Sequence, residues 1–227
     1  MSAITVKYPL QNVFLDSYYT TTNYGGYYAL FVGRYNSDLF YRTLIQFDTS
    51  SIPFGYNILS ARMAIYLLRN DYPNNLKTFN IYNLKEGFDE NTVTYATQPS
   101  FYSSQYVQLE ISNQVDTYMW VDITDFVRDW YQGRFSNYGL LIKEENESIP
   151  SLVAFYSREY EEQAYRPFLE ITYEDPVKIA GRQFNSTVES NLATQNSYYY
   201  SQVQDVSEKI NYTYFIRNTG TDYPCEV

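Results

Sequence analysis

Short apolar runs separated by turn-forming residues dominate the first three quarters of the chain. The runs are rich in Val, Ile, Tyr, Phe and Thr, which favour strands. The predicted strands are Asn12–Asp16, Ala29–Gly33, Tyr41–Phe47, Ile58–Arg69, Lys77–Asn83, Thr92–Tyr95, Tyr106–Leu109, Met119–Asp122, Gly139–Lys143, Leu152–Tyr156 and Phe168–Tyr173. This pattern of many short strands is typical of an all-β sandwich or barrel. Within it, Ala64–Leu68 is almost continuously apolar, which predicts a central strand covered on both faces.

One segment follows a helical period instead. In Asp122–Gly133, the apolar residues Ile123, Phe126, Val127 and Trp130 recur at helical spacing. Asp122 or Thr124 can cap the amino end, and Gly133 can end the helix. We therefore predict a single short helix that closes one end of the sandwich core.

The chain divides at the turn residues Glu174–Pro176. Beyond them, three more strands are predicted at Val177–Phe184, Ser197–Val203 and Lys209–Arg217. Three strands form a small open sheet with exposed edges. The predicted organisation is an N-terminal arm of residues 1–12, a β-sandwich of residues 13–175 and a small β unit of residues 176–227 that looks incomplete.

Seven blocks in the first part occur in the order found in a known family. They are Tyr41–Pro53, Ser60–Tyr66, Phe88–Pro99, Val121–Trp130, Asn137–Ile142, Phe155–Glu159 and Arg166–Tyr173. Together they resemble the DNRLRE domain. The resemblance implies a jelly-roll-like sandwich of the kind found in bacterial and archaeal surface proteins, some of whose relatives are carbohydrate-binding modules.

The sequence departs from the family in two places. Phe88 and Tyr95 stand where the family has paired tryptophans, which fits packing better than sugar stacking by an indole. The segments Gln204–Glu208 and Tyr214–Gly220 resemble a small β-domain found beside DNRLRE domains in spore-forming Gram-positive bacteria. In that domain further strands follow, so the unit in this sequence is expected to be unfinished.

The charge balance narrows the possible partners. The net charge is −10 and the pI is about 4.5, which disfavours nucleic acid and anionic lipid. No apolar stretch approaches the ~20 residues of a spanning helix, so membrane insertion is not expected. The first residues do not have the features of a signal peptide. The resemblance nevertheless implies an extracellular location, at the surface of a cell or spore.

Little in the composition supports catalysis. The chain has no histidine, which removes Ser-His and Cys-His nucleophilic arrangements and most transition-metal sites. We predict that the protein is not an enzyme and needs no cofactor. The one metal expectation is a structural Ca²⁺ held by the oxygen-bearing side chains of Asp16, Asn23 and Asp48.

Three further groups of residues each have more than one interpretation. Arg42, Asp48, Arg158 and Glu159 form either a ligand site or a lattice of ion pairs and hydrogen bonds that fixes loops at one sandwich end. Cys225 is either an incidental thiol or an intermolecular cross-link. Neighbouring tyrosines cannot all face one core, so they are tolerated surface residues, subunit contacts or sugar-stacking platforms. These tyrosines are Tyr18, Tyr19, Tyr27, Tyr28, Tyr198, Tyr199 and Tyr200.

Two functions are compatible with these features. The first is a non-catalytic structural subunit of an extracellular or spore-surface filament. In it, a strand from residues 1–10 or from the C-terminal tail completes the sheet of the next copy, and the repeated contact builds a homopolymer. The alternative is a carbohydrate-binding module whose partner is a polysaccharide. The acidic charge argues against uronate polymers as that partner, unless Ca²⁺ bridges them.

Overall fold

The computed structural model describes residues 2–36 and 39–175, and all strand pairings among these residues are antiparallel. The strands are β1 (Ser2–Lys7), β2 (Pro9–Asp16), β3 (Ala29–Arg34), β4 (Phe40–Phe47), β5 (Asn57–Asn70), β6 (Lys77–Leu84), β7 (Phe101–Ile111), β8 (Thr117–Asp122), β9 (Leu140–Glu144), β10 (Val153–Tyr156) and β11 (Phe168–Glu174). The one α-helix of this part, α1, is Thr124–Tyr131, and two 3-10 helices are Tyr95–Thr97 and Gln163–Tyr165. The predicted all-β sandwich is confirmed.

The strands form two layers that β3 connects. In the first layer β5 is central. Strand β8 pairs with one edge of β5, and β11 and β10 pair with successive parts of its opposite edge. Strand β1 pairs with the outer edge of β11. The second layer has the order β2, β4, β9, β6, β7. Residues 29–32 of β3 pair with β10, whereas Gly33 and Arg34 pair with β4. The chain therefore passes from one layer to the other at Gly33.

The main core lies between the two layers. Strand β5 contributes Met63, Ile65 and Leu67, and the second layer contributes Phe47 and Phe79, all of them at most 1% exposed. These positions alternate along their strands because successive side chains point to opposite faces. Helix α1 adds Phe126, Val127 and Trp130 to the same cluster. The apolar helical face predicted from the sequence is therefore confirmed.

The helix is shorter than predicted, because it begins at Thr124 rather than Asp122. The Asp122 carboxylate accepts hydrogen bonds from the Thr124 amide, at 2.9 Å, and from its hydroxyl, at 2.5 Å. Asp122 thus stabilises the first turn from the end of β8. At the other end, Gly133 adopts φ +70° and donates to the Trp130 carbonyl, a conformation that favours glycine.

A smaller core covers the outer side of the second layer. Val13, Leu15 and Leu44 point outward there and form one cluster with Leu84 of β6 and with Val93 from the segment that follows. The predicted strand Thr92–Tyr95 is wrong, because this segment forms a cap over the small core and ends in a 3-10 helix. Its apolar residues serve packing, and Asn23 holds the segment by donating to the Val93 carbonyl at 2.7 Å.

The N-terminal residues belong to the sheet. Ser2–Lys7, predicted as part of an arm, forms β1 and pairs with β11 from Ser2 opposite Glu174 to Lys7 opposite Leu169. Its hydrogen bonds toward β11 are thus made within the chain, as are those of the Pro9–Asp16 strand toward β4. The predicted β unit of residues 176–227 lies outside the described residues.

Candidate functional site

The outward side of the first layer carries a continuous group of aromatic rings. We call this group the aromatic face. Five of its residues come from strands and two from the loop between β10 and β11. They are Tyr66, Tyr118, Trp120, Tyr156, Phe168, Tyr160 and Tyr165.

Strand register explains why these rings meet. Ala64 of β5 lies opposite Phe168 of β11 on one side and opposite Trp120 of β8 on the other. Because alanine is small, both rings can close over it: Ala64 is fully buried, and the two ring centres are 5.5 Å apart in an edge-to-face arrangement. Two residues along β5, Tyr66 lies opposite Tyr118, with ring centres 5.1 Å apart.

The loop rings continue the face beyond the strands. Tyr160 stacks on Tyr156 with ring centres 3.8 Å apart and planes 20° apart, and Tyr165 lies 4.6 Å from Tyr66. The Tyr118 hydroxyl donates to the carbonyl of Ala164, which ties the loop to β8. Ring contacts of this kind stabilise the arrangement beyond the burial of area alone. The face is therefore held in place before any ligand arrives.

Among the five strand residues of the aromatic face, Trp120 is the most exposed, with 45% of its surface accessible. The guanidinium of Arg62 lies 4.9 Å from its ring centre and forms an ion pair with Glu170 at 2.6 Å. Asp122 is opposite Arg62 on the neighbouring strand. A row of alternating charges thus borders the aromatic face at the Trp120 end.

Three tyrosines of the face, Tyr66, Tyr118 and Tyr160, have hydroxyl groups whose pKa is raised, so they stay protonated. A hydrogen bond with Tyr156, followed by burial, raises the pKa of Tyr160 to about 12. Burial is the main cause that raises the pKa of Tyr66 and of Tyr118. A neutral phenol can both donate and accept a hydrogen bond. The face therefore combines apolar ring surfaces with hydroxyl groups that suit a polyhydroxylated ligand.

The family comparison agrees with this chemistry. The model of a carbohydrate-binding module family, number 96, matches residues 3–173. The chain belongs to carbohydrate-binding module family 96. A search among curated proteins found no match. The match covers all of the sandwich except the first residue of β1 and the last residue of β11, and so includes the strand β1 that the sequence did not predict.

Membership of family 96 favours the alternative function given above over the filament subunit. Families of this class are non-catalytic binding modules, in agreement with the prediction that the chain is not an enzyme. The resemblance to DNRLRE domains, which concerns nearly the same residues, stays a prediction. So does the filament, whose suggested cross-link Cys225 and tyrosines Tyr198, Tyr199 and Tyr200 lie outside the described residues.

The other predicted tyrosines fall into two groups in this family 96 module. Tyr27 and Tyr28 stack on each other with ring centres 4.9 Å apart, and Tyr28 reaches the aromatic face through Tyr160, at 6.5 Å. Tyr18 and Tyr19 form an exposed edge-to-face pair with centres 5.0 Å apart. Of the predicted residues, Tyr27 and Tyr28 are thus the ones that extend the site.

The predicted polar lattice is split between two places. The amide of Asn12 connects Arg158 and Glu159: its oxygen accepts from the Arg158 backbone at 2.8 Å, and its nitrogen donates to Glu159 at 2.7 Å. Glu90 accepts from Arg158 and from the Asn12 backbone, and burial raises the pKa of its carboxyl. This network joins β2, the cap over the small core and the end of β10.

Arg42 belongs to a second network, built around Glu147. The two side chains form a bidentate ion pair with N–O distances of 2.7 and 2.8 Å, and the guanidinium lies over the rings of Phe40 and Tyr95, 5.6 and 5.3 Å from their centres. Asp48 is in neither network, because its carboxylate accepts from the Ser50 backbone in the turn after β4. The structure thus joins Arg158 with Glu159 and separates both from Arg42 and Asp48.

The suggested calcium ligands do not converge on one point. Asp16 lies opposite Tyr41, whereas Asp48 follows Phe47 at the other end of β4, about 20 Å away along the strand. Asp16 accepts from the backbone of Tyr18, and Asn23 donates to backbone carbonyls. Within the part of the chain that the structure describes, no three His, Cys, Asp or Glu residues are grouped so that they could hold a metal ion.

None of the helices in residues 2–36 and 39–175 has the length and apolar character needed to cross a bilayer.

Sequence reasoning missed most of the aromatic face. The sequence predicted Met119–Asp122 only as a strand, and nothing in it marked Trp120 as outward. A signal was present, because Tyr118 and Trp120 alternate with Met119 and Val121, and only one of these pairs can face the core. Choosing between the pairs requires knowing the partner strand, which the pattern alone does not give.

Proposed function

We propose that this protein binds a polysaccharide without cleaving it, and that sugar rings stack on the aromatic face. The observation that carries the proposal is Trp120, which stays 45% exposed among rings that are themselves packed together. Apolar surface concentrated in one patch marks a binding site more often than it is left without a partner.

Stacking follows from the chemistry of both partners. The face of an aromatic ring carries negative charge density, and the axial C–H bonds on one side of a pyranose ring present weakly positive hydrogens to it. The hydroxyl groups at the sugar's edge can then bond to the protonated phenols of Tyr66 and Tyr160 and to the Arg62 guanidinium. Because the rings form an open surface rather than a closed pocket, the interior of a chain can lie on it.

An extracellular or surface location is part of this proposal, because long polysaccharides are encountered there. The filament subunit has no comparable support among the described residues. Strand β1, a suggested donor for a neighbouring copy, is paired with β11 of its own chain. We therefore retain assembly as a separate hypothesis and do not attach it to the aromatic face.

The test compares two equally exposed aromatic residues. Trp120→Ala removes the central ring of the aromatic face, and Tyr106→Ala removes a ring of similar exposure, 46%, from β7 in the other layer. Binding is measured by affinity electrophoresis in gels that contain soluble glucans, mannans, galactans or xylans, and by calorimetry for polymers that retard the protein.

We expect Trp120→Ala to weaken binding roughly tenfold to a hundredfold, as loss of a central aromatic anchor does, while Tyr106→Ala binds like the unmodified protein. Circular dichroism and thermal unfolding of both variants check that the sandwich is intact. Equal binding by Trp120→Ala and the unmodified protein would place the site elsewhere. Failure of the unmodified protein to bind any of these polymers would remove the proposed function.

A further inference from the structure

Strand β1 lies at the end of the first layer, with one edge paired and one edge open. Ser2–Lys7 pairs with β11 along one edge, and among residues 2–36 and 39–175 no strand pairs with its outer edge. The N–H and C=O groups of an uncovered edge bind a further strand readily. The outer edge of β1 can therefore accept a strand from another chain.

The fold covers the comparable edge of β2 with side chains. The Glu90 carboxylate accepts from the backbone amide of Asn12 at 2.8 Å, and the Arg158 guanidinium donates to the Leu10 carbonyl at 2.5 Å. These groups face away from β4, with which β2 pairs. In the part of the chain that the structure describes, no side chain is bonded in this way to the backbone of Ser2–Lys7. The edge of β2 is thus blocked, and that of β1 is not.

The side chains of β1 also favour the addition of a strand. Ile4 and Val6 point to the outer side of the first layer and are 67% and 47% exposed. Lys7 is the single charged residue of the strand and lies at its end. Edge strands that stay unpaired usually carry charges or proline within their length. The middle of β1 has neither, in a chain with 26 acidic residues.

We infer that the outer edge of β1 pairs with β1 of a second copy of this chain, antiparallel and across a two-fold axis. In a continuous sheet, residues opposite each other point to the same side, so even-numbered residues must pair with even-numbered ones. Pairing centred on Thr5 meets this condition and places Ile4 opposite Val6 of the partner subunit, twice. It also places Lys7 opposite Ala3 of the partner subunit, so no like charges meet.

The contact closes after two copies, because both use the same strand. It therefore differs from a filament, in which one contact repeats without closing. The two-fold axis is perpendicular to the sheet, so the aromatic faces of both copies point to the same side. A dimer can thus present two of the sites of the proposed function to one polysaccharide surface. The pairing itself does not depend on that function, because no ligand takes part in it.

Sedimentation velocity of the full chain without ligand, from roughly 1 μM to 1 mM, measures this association. Six residues from each copy form a small interface, so we expect a dimer with a dissociation constant of roughly 10–100 μM. A chain that stays monomeric throughout, or that forms a series of species larger than a dimer, would overturn the inference. The proposed function would stand in either case, because polysaccharide binding is measured separately.

Two double variants test the register. Ile4→Lys with Val6→Lys places cations opposite cations at both contacts between positions 4 and 6, whereas Ile4→Glu with Val6→Lys places opposite charges there. We expect the first to weaken association at least roughly tenfold and the second to dimerise like the unmodified protein. Because both side chains are exposed, neither change should separate β1 from β11, and thermal unfolding checks this. Equal association by the two doubles would contradict the register and overturn the inference.

A third double variant controls for net charge. Leu76→Lys with Val115→Lys adds the same two cations at side chains that are 65% and 47% exposed, in turns near the far end of β5 from β1. We expect this control to dimerise at least as strongly as the unmodified protein. If it dissociates as Ile4→Lys with Val6→Lys does, the association depends on overall charge rather than on β1, and the inference is wrong.

Discussion

Glu144 is a carboxyl group that the fold holds in the interior. It is 4% exposed at the end of β9, and it accepts a hydrogen bond from the Ser151 hydroxyl. Buried Lys77 is nearby, and its ammonium donates to three backbone carbonyls, so it does not depend on Glu144 alone. Burial is the main cause that raises the pKa of Glu144 to about 7, from an ordinary value of 4.5.

This shift predicts how stability depends on pH. Between pH 4.5 and about 7, the folded protein keeps a proton on Glu144 that the unfolded chain has lost, so its contribution to the free energy of unfolding falls as pH rises. The loss is complete above pH 7 and amounts to about 3 kcal/mol. Glu144→Gln keeps an acceptor for Ser151 and removes the titration.

We therefore expect Glu144→Gln to unfold at higher urea concentration than the unmodified protein at pH 8, and the difference to shrink toward pH 5. The neighbouring exposed residue supplies the control, because Glu145→Gln should follow the unmodified curve at both pH values. A Glu144→Gln protein with the same pH dependence as the unmodified one would show that this carboxyl is ionised in the fold.

At the scale of single residues, the sequence predicted environments better than it predicted neighbours. Arg158 and Glu159 were expected in a polar lattice and do share one, but their partners Asn12 and Glu90 come from distant segments. The sequence did not identify Trp120 as a site residue, because the side of the sheet to which its ring points depends on the pairing of β8 with β5. Residue type determines which interactions a side chain can make, whereas strand register determines which residues lie close enough to take part in them.

Among the elements, β3 is the strand that passes from one layer to the other. At Gly33 it leaves β10 and joins β4, with φ at +93°. A Cβ at this position would lie 2.7 Å from the Ser151 hydroxyl oxygen and 2.8 Å from its carbonyl oxygen. Both the backbone angle and the close approach require glycine.

Gly33→Ala should therefore destabilise the protein by about 2–4 kcal/mol, since it combines backbone strain with a steric clash in the passage between layers. Gly26→Ala is the matched control, because no atom lies within 4 Å of its added Cβ. We expect that variant to stay within about 1 kcal/mol of the unmodified protein or to be slightly more stable. Thermal and urea unfolding measure both. Similar midpoints for the two variants would contradict the constraint at Gly33.

The strand predictions were correct for strands that other residues cover on both faces. They were wrong for an exposed strand and for an apolar segment that is not part of a sheet. β4 and β5 were found because apolar residues of the core alternate with residues that are covered from outside. Strand β1 was missed because its side chains are mostly exposed, so backbone pairing with β11 defines it rather than a hydrophobic pattern. Thr92–Tyr95 was misassigned because the apolar residues of a cap resemble those of a strand.

The whole molecule raises the question of which residues suffice for folding and binding. Among the described residues, the members of both hydrophobic cores come from Val13 to Tyr173, and the aromatic face lies within Tyr66–Phe168. A unit of this size is in the ordinary range for an independent domain.

We accordingly expect a fragment of residues 1–175 to unfold in one cooperative transition and to bind polysaccharide with the affinity of the full chain. Negative-stain electron microscopy of both proteins, with and without reductant, tests assembly in the same experiment. Fibres from the full chain alone would support the filament hypothesis and assign assembly to residues 176–227, and their loss in reductant would assign a cross-link to Cys225. Fibres from the fragment would instead place the contact on an exposed sheet edge such as β1. A fragment that aggregates or lacks a cooperative transition would show that the sandwich depends on the residues after Asp175, and the predicted domain boundary would be wrong.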